Sequence, residues 1–332
     1  MPKRTKSTVV DPDALYASAQ EMVQAGNPTP ALTAINKALK ARPKWPEAFF
    51  VRGLVRLQQG EFWKAEQGEF WKAADDFIKA RSLKPDYTDA ALKLGQSYLM
   101  TESYVLAERT FSTVLNHEPI ADAYLGRGLA RVGLQNFKAA EDDLNEAIRL
   151  KPDFAEAWYA RGDFHKLHHH PEQAIQDFTE AIRLNPSAVG FYIERARTYL
   201  ALKDYDRALA DYDRLTTLAP AEFLYLERGD VYHDKGDFQA AAQEYQQYID
   251  LGGEEQGPWA ERNKAHPSGG WPASSSSYGC GRPARLASIG ADAGSRWHQP
   301  RTRGVCNLSL SSLGSHPHRG NLCSAMLFLP DC

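Results

Sequence analysis

The chain has 332 residues and a formal net charge of −3. That is long for one small core, so several domains or an open array are expected, and too weakly charged for nucleic-acid binding by bulk electrostatics. No stretch approaches the ~18 apolar residues of a membrane span, and the opening MPKRTKSTVVDPDALY has basic residues without the apolar run of a signal peptide. The expectation is a soluble, cytoplasmic protein. Cys280, Cys306, Cys323 and Cys332 all lie in the last quarter, so a disulfide framework is excluded for the main body and apolar packing must hold it.

Residues 1–11 read as a flexible N-terminus. From residue 12 the chain repeats itself. AEAWYARGDFHKLHHHPEQAIQDFTEAIRLNPSA (155–188) aligns with ADAYLGRGLARVGLQNFKAAEDDLNEAIRLKPDF (121–154), with aromatic, small, large apolar and proline residues recurring at a period of about 34. Seven units follow: 12–45, 46–87, 88–120, 121–154, 155–188, 189–221 and 222–255. Position 8 is Ala19, Gly53, Gly95, Gly128, Gly162, Ala196 and Gly229, small enough for a second helix to come close. Position 20 is Ala31, Ala73, Ala107, Ala140, Ala174, Ala208 and Ala241, and position 24 is Ile35, Phe77, Phe111, Leu144, Phe178, Tyr212 and Tyr245, a knob filling the remaining volume. Pro43, Pro85, Pro119, Pro152, Pro186 and Pro220 end the second helix of each unit, and Gly253 takes that place in the seventh.

Each unit therefore reads as two antiparallel helices, A and B, which bury their apolar faces only when stacked. The motifs resemble the tetratricopeptide repeat family over residues 12 to about 255. The resemblance implies an all-α fold, a right-handed superhelical solenoid of about seven helix pairs with the A helices lining its concave side.

The second unit carries eight extra residues, and QGEFWKAEQGEFWKAA (59–74) says one word twice. Counting back from Pro85 places Ala73, Phe77 and Ala80 at positions 20, 24 and 27, whereas counting forward from Gly53 would place Glu69 and Lys72 at positions 24 and 27, where apolar residues belong. The second copy therefore makes the turn between the helices. The first copy, Gln59 to Glu66, is expected to extend helix A by about two turns, near 12 Å, with Gly68 ending it; a protruding loop is the other reading. Either leaves Phe62 and Trp63 projecting as an exposed pair.

Positions 7 and 23 switch together. Where position 7 is Arg52, Arg127, Arg161, Arg195 or Arg228, position 23 is Asp76, Asp143, Asp177, Asp211 or Glu244; where it is Ser18 or Leu94, position 23 is Ala34 or Thr110. The pairs Arg52–Asp76, Arg127–Asp143, Arg161–Asp177, Arg195–Asp211 and Arg228–Glu244 are expected to bridge A to B as structural ion pairs. Common descent of one duplicated unit would produce the same association.

Little in the chain asks for chemistry. His165 and His169 have the i, i+4 spacing of a helical metal grip, but His165 holds the packing position of Tyr98, Tyr199 and Tyr232, and His168, His169 and His170 fall in the turn before Pro171, read as solvated. The four tail cysteines and His266, His298, His316 and His318 have irregular spacings without a C-x-x-C pair, a weak zinc pattern. Asn307-Leu308-Ser309 fits a glycosylation triplet without a secretion signal. No phosphate-cradling loop or G-x-S-x-G appears. The expectations are no catalytic residue, no metal and no cofactor.

The resemblance also implies that positions 2, 5, 6, 9, 12 and 13 of each A helix face the groove that holds a partner. In the N-terminal half these include Tyr16, Phe50, Val51, Leu54, Leu57, Leu92, Leu99, Met100, Leu125, Leu129 and Val132, with Asp89, Lys93, Gln96 and Asp122 as polar exceptions. In the C-terminal half they include Glu156, Tyr159, Asp163, Lys166, Glu194, Arg197, Glu227, Asp230 and Asp234. An apolar lining suits an amphipathic helix or an extended apolar segment; packing between repeats is the competing use of positions 5, 9 and 12. Chaperone-binding relatives grip a terminal carboxylate with Lys at position 5 and Asn at position 9, where this chain has Leu92/Gln96, Tyr159/Asp163 and Ile193/Arg197. Chaperone C-terminal tails are therefore disfavoured as partners.

Past Leu251, GPWAERNKAH keeps Trp259 and Arg262 at the offsets of positions 4 and 7, so 256–266 is expected to form a partial capping helix. Residues 267–332, rich in Gly, Pro, Ser and Arg, are expected to be a disordered tail whose abrupt composition resembles out-of-frame translation. The expected function is a non-catalytic scaffold or adaptor binding a peptide or helix of a protein partner; the alternative is the recruiting or sensor arm of an enzyme whose catalytic domain lies elsewhere.

Overall fold

A computed structural model of the protein describes residues 11–62 and 68–253. The N-terminus to residue 10, residues 63–67 within the doubled word, and everything from 254 onward, including the capping helix and the tail, lie outside the described residues.

The described residues form fourteen α-helices and no strand. The A helices are α1 (Pro12–Gln24), α3 (Pro46–Phe62), α5 (Thr88–Met100), α7 (Ala121–Gly133), α9 (Ala155–Leu167), α11 (Val189–Ala201) and α13 (Glu222–Lys235). The B helices are α2 (Pro28–Ala41), α4 (Gly68–Leu83), α6 (Tyr104–Leu115), α8 (Phe137–Leu150), α10 (Pro171–Leu184), α12 (Tyr205–Leu218) and α14 (Phe238–Asp250). Each helix packs on its successor, and from α1 to α11 each A helix also touches the next A helix, while successive B helices stand farther apart. The A layer is thus the compressed, inner side of the curve.

Local chemistry starts and stops these helices. Pro12, Pro28, Pro46 and Pro171 each open a helix, where a missing N–H costs nothing. Asp204 and Asp237 cap α12 and α14 by accepting from the N–H of Arg207 and Ala240. Between A and B one residue turns left-handed: Gly26, Glu102, Gln135, His169, Lys203 and Gly236 have φ from 54° to 88°. All six occupy position 15 of their units, so the turn is as periodic as the core.

The core is built from the repeating small and large positions. Ala31, Ala73, Ala107, Ala140, Ala174 and Ala208 are fully buried, as are the knobs Ile35, Phe77, Leu144, Phe178 and Tyr245; each buried Phe or Leu contributes about 1.5–3 kcal/mol of transfer free energy. Phe111 shows why glycine is needed: a Cβ on Gly95 would lie 2.5 Å from its ring, and one on Gly126, in the next unit, 2.3 Å.

The arginines at position 7 point at the acids of position 23. Nη2 of Arg52, Arg127, Arg161, Arg195 and Arg228 lies 2.6, 2.7, 2.7, 2.6 and 2.8 Å from Asp76, Asp143, Asp177, Asp211 and Glu244. The same guanidinium also reaches position 25 of the preceding B helix: Arg52 to Asn36 at 2.9 Å, Arg161 to Asn145 at 2.8 Å, Arg195 to Thr179 at 3.0 Å and Arg228 to Asp213 at 3.3 Å. The arginine is therefore a staple between units as well as within one. Sequence reasoning missed a second arm one turn later, at position 11, where Arg56 and Arg131 each place Nη1 2.7 Å from Asp76 and Asp143. In the fifth unit this arm is His165, with Nε2 3.6 Å from Asp177.

The doubled word behaves differently from its expectation in one respect. Helix α3 spans 17 residues where α5, α7, α9 and α11 span 13, so among the described residues helix A is lengthened by four residues, about one turn of the two expected, within the first copy. Gly68, however, does not end that helix; it is the first residue of α4. Glu69 in the first turn favours the positive end of the new helix, and starting there brings Phe70 into the core at 8 % exposure against Gly60. Its neighbour Trp71 stays 41 % exposed. The side chains of Phe62 and Trp63 lie outside the described residues.

Candidate functional site

The inner face of the A helices is the surface where a partner could be held. In its N-terminal half the open apolar residues are fewer than the periodicity suggests. Tyr16 is half-buried against Trp45, ring centroids 4.7 Å apart, and Phe50 is half-buried between Phe77 and Tyr87 at 5.7 and 5.1 Å. Leu54, Leu92, Gln96 and Met100 are likewise half-buried. Val51, Leu57, Leu99, Leu125, Leu129 and Val132 are buried instead. The expectation that they line an open groove is corrected: the next repeat docks on them and removes them from solvent. Lys93 is buried as well.

The C-terminal half is polar. Tyr159 is 1 % exposed, stacked on Phe191 of the next A helix at 4.9 Å, so it too belongs to the core rather than to the groove surface. Asp163 and Glu194 are buried beneath the face and share Lys166, whose Nζ lies 2.8 Å from Asp163 and also bonds Glu194. Burial raises the Asp163 carboxyl to about 6, against the pull of Lys166. Burial works against the Lys166 ammonium, yet the Asp163 and Glu194 carboxylates together raise its pKa.

The network continues outward along the face. Arg197 lies 3.2 Å from Glu194 and 4.0 Å from Glu227. The hydroxyls of Tyr212 and Tyr245 donate to Glu227 at 2.9 Å and to Asp230 at 2.8 Å. These two tyrosines are the position-24 knobs of the last two units, and their hydroxyls emerge under the acids at positions 6 and 9 of α13. Burial, then Glu227, pushes the Tyr212 phenol up, so it remains a donor. Glu156, on α9, is raised by burial, and Asp234 is exposed at the end of α13. Asp89 is exposed and Asp122 half-buried.

The histidines divide by environment. His165 is buried, and burial lowers its pKa despite Asp177 beside it. His168 was expected in a solvated turn, but its ring packs on Phe164 and Phe137 at 4.2 and 4.4 Å, because it caps α9 where two turns meet. His169 and His170 are exposed. Among the described residues no group of three or more His, Cys, Asp or Glu is placed to hold a metal, and no helix is long and apolar enough to cross a membrane.

Stacked antiparallel helix pairs with a side-chain-lined inner face define a helical-repeat protein of the kind that holds other proteins. Models of the tetratricopeptide repeat match residues 16–70, 125–165, 168–223 and 224–251, and the chain belongs to that family. Human tetratricopeptide repeat protein 6 is 25 % identical over 193 residues, covering 58 % of this chain and 36 % of its own. Human tetratricopeptide repeat protein 13 is 30 % identical over 173 residues, covering 49 % and 20 %. A relative named protein O-mannosyl-transferase TMTC3, also human, is 23 % identical over 167 residues, covering 45 % and 18 %. This chain thus spans about a third or less of these relatives. A crystal structure of a tetratricopeptide repeat protein from Parabacteroides merdae superposes with a TM-score of 0.53 at 20 % identity, covering 76 % of this chain and 97 % of that one.

Proposed function

We propose that the protein is a cytoplasmic adaptor that holds a peptide or helix of a partner protein along the inner face of its A helices and does no chemistry on it. Tetratricopeptide repeats are in general protein-interaction modules, and the observation that carries the finer reading is the run of half-buried Phe50, Leu54, Leu92 and Met100 on neighbouring A helices. Apolar side chains left half open on the inside of a solenoid gain by being covered. The cysteine-free repeat body needs no oxidising compartment, which supports the cytoplasmic assignment; imaging of a fluorescent fusion tests it.

Affinity purification with the full chain, beside a Leu54→Asp/Leu92→Asp variant that still shows a helical spectrum, tests the groove. A partner held by wild type and lost by the variant supports it, and one held equally by both removes it. A second reading, the recruiting or sensor arm of an enzyme, draws on the transferase name of one relative and on the short span of this chain against all three. A recovered partner that carries a catalytic domain and works only when bound would favour it.

A further inference from the structure

Charge is unevenly distributed along the inner face. Over α3 and α5 the open groove positions hold Phe50, Leu54, Leu92 and Met100 beside the neutral Gln58 and Gln96, with acids only in the first turn of each helix, Glu47 and Asp89. Over α9, α11 and α13 the groove positions hold Glu156, Asp163, Glu194, Glu227, Asp230 and Asp234 against only Lys166 and Arg197. Both cations are already engaged by carboxylates beneath or beside them, Lys166 by Asp163 and Glu194, Arg197 by Glu194 and Glu227. The buried acids are thereby neutralised, and the excess negative charge comes to the surface on α13. Its side chains Glu227, Asp230 and Asp234 follow one another at i+3 and i+4, on one face of that helix. Glu227 keeps 32 % of its side chain exposed and Asp234 keeps 63 %.

We propose that the inner face takes one amphipathic segment in a fixed direction, its apolar side chains over α3 and α5 and its lysines or arginines over α13. The inference rests on the groove reading above and adds the charge and polarity of the ligand. Two stretches of the inner face, one mainly apolar and one acidic, match a segment with the complementary ends. The acidic stretch steers a cation in and orients it, and the apolar stretch holds it. A lysine or arginine there forms charge-assisted hydrogen bonds to carboxylates held in place by the Tyr212 and Tyr245 hydroxyls. With packed A helices ~9 Å apart and α13 standing farther from α11 than that, α5 and α13 are separated by about 36 Å or more along the stack, which an extended chain covers in ~11 residues or more.

A random linear peptide library displayed on phage, selected on the full chain, supplies the probe. Enriched peptides are expected to carry a basic cluster about 11 residues or more from an apolar one, to lose about tenfold in affinity in Asp234→Lys or Glu227→Gln, and to bind more weakly as salt rises. Asp234→Lys changes an exposed side chain and spares the network around Lys166, so it separates ligand loss from misfolding. Asp142→Lys, on the B-helix side, serves as the charge-matched control and should leave binding unchanged. Enriched peptides without excess Lys or Arg, yet lost in Leu92→Asp, overturn the charge inference and leave the groove reading standing. Peptides indifferent to Leu92→Asp and Asp234→Lys alike, or no enrichment at all, overturn both.

Discussion

Arg161 and Asp177 are joined by two parallel hydrogen bonds, Nε to Oδ2 at 3.0 Å and Nη2 to Oδ1 at 2.7 Å, across the A and B helices of the fifth unit. Asp177 is 4 % exposed, so removing its partner strands a buried charge. In the third unit the same two positions hold Leu94 and Thr110, also buried, which shows that a neutral pair fits there. Arg161→Leu alone should cost about 3 kcal/mol, and adding Asp177→Thr should recover part of that loss. Urea denaturation of the two single variants and the double one measures the coupling; strictly additive losses would show that the pair is not a unit.

Phe111 is wedged between Gly95 and Gly126, each of whose hydrogens faces the ring. Gly126→Ala should destabilise by about 1–3 kcal/mol through overpacking, despite alanine's better helix propensity. Phe111→Leu in the same chain should restore part of the loss, as Leu144 already sits beside Gly128 with its nearest atom 3.1 Å from where a Cβ would lie. Thermal melts followed by circular dichroism give both values.

Asp163 and His165 respond to pH with opposite signs. Burial raises Asp163 from 3.8 to about 6 in the folded chain, so between those values the native state holds the proton more tightly and stability falls as pH rises. Asp163→Asn should therefore gain on wild type between pH ~4 and ~6. His165 lies below its ordinary 6.5 because it is buried; its contribution is present above that value and is lost as pH falls through the folded pKa. His165→Tyr, copying Tyr98 and Tyr199, should flatten the loss on the acid side. Chemical denaturation across the pH range reads both slopes.

Lys203 turns left-handed, with φ of 59°, at the position that Gly26 and Gly236 hold in the first and last units. A side chain there costs roughly 1–2 kcal/mol, partly offset by the greater unfolded freedom of glycine. Lys203→Gly should raise stability by about 0.5 kcal/mol. An unchanged or lower melting temperature would count against strain at this turn.

Deleting residues 59–66 would bring Gly68 to position 15 of the second unit, where the six described turns of the other units are left-handed. The melting temperature should hold or rise. A clear drop would show that the lengthened α3, through Gly60 against Phe70, has become necessary to the stack.

Much of the architecture could be read from the chain because a solenoid repeats its neighbours: one unit's small residues, knobs and prolines forecast the next unit's contacts. The joint switching of positions 7 and 23 needed only internal comparison. Arg56 and Arg131 stand one turn after Arg52 and Arg127, a signal present in the sequence but drowned among surface charges. The inner face was less legible. Leu54 and Leu129 share a repeat position, yet Leu54 is half open and Leu129 is 3 % exposed, since burial there depends on how closely the following repeat docks. Nor does the alphabet reveal that the hydroxyls of Tyr212 and Tyr245 surface beneath Glu227 and Asp230, because that contact joins residues some fifteen positions apart on different helices. Periodicity sets helices and their order through local contacts, whereas the working surface is what remains after neighbouring repeats have covered one another.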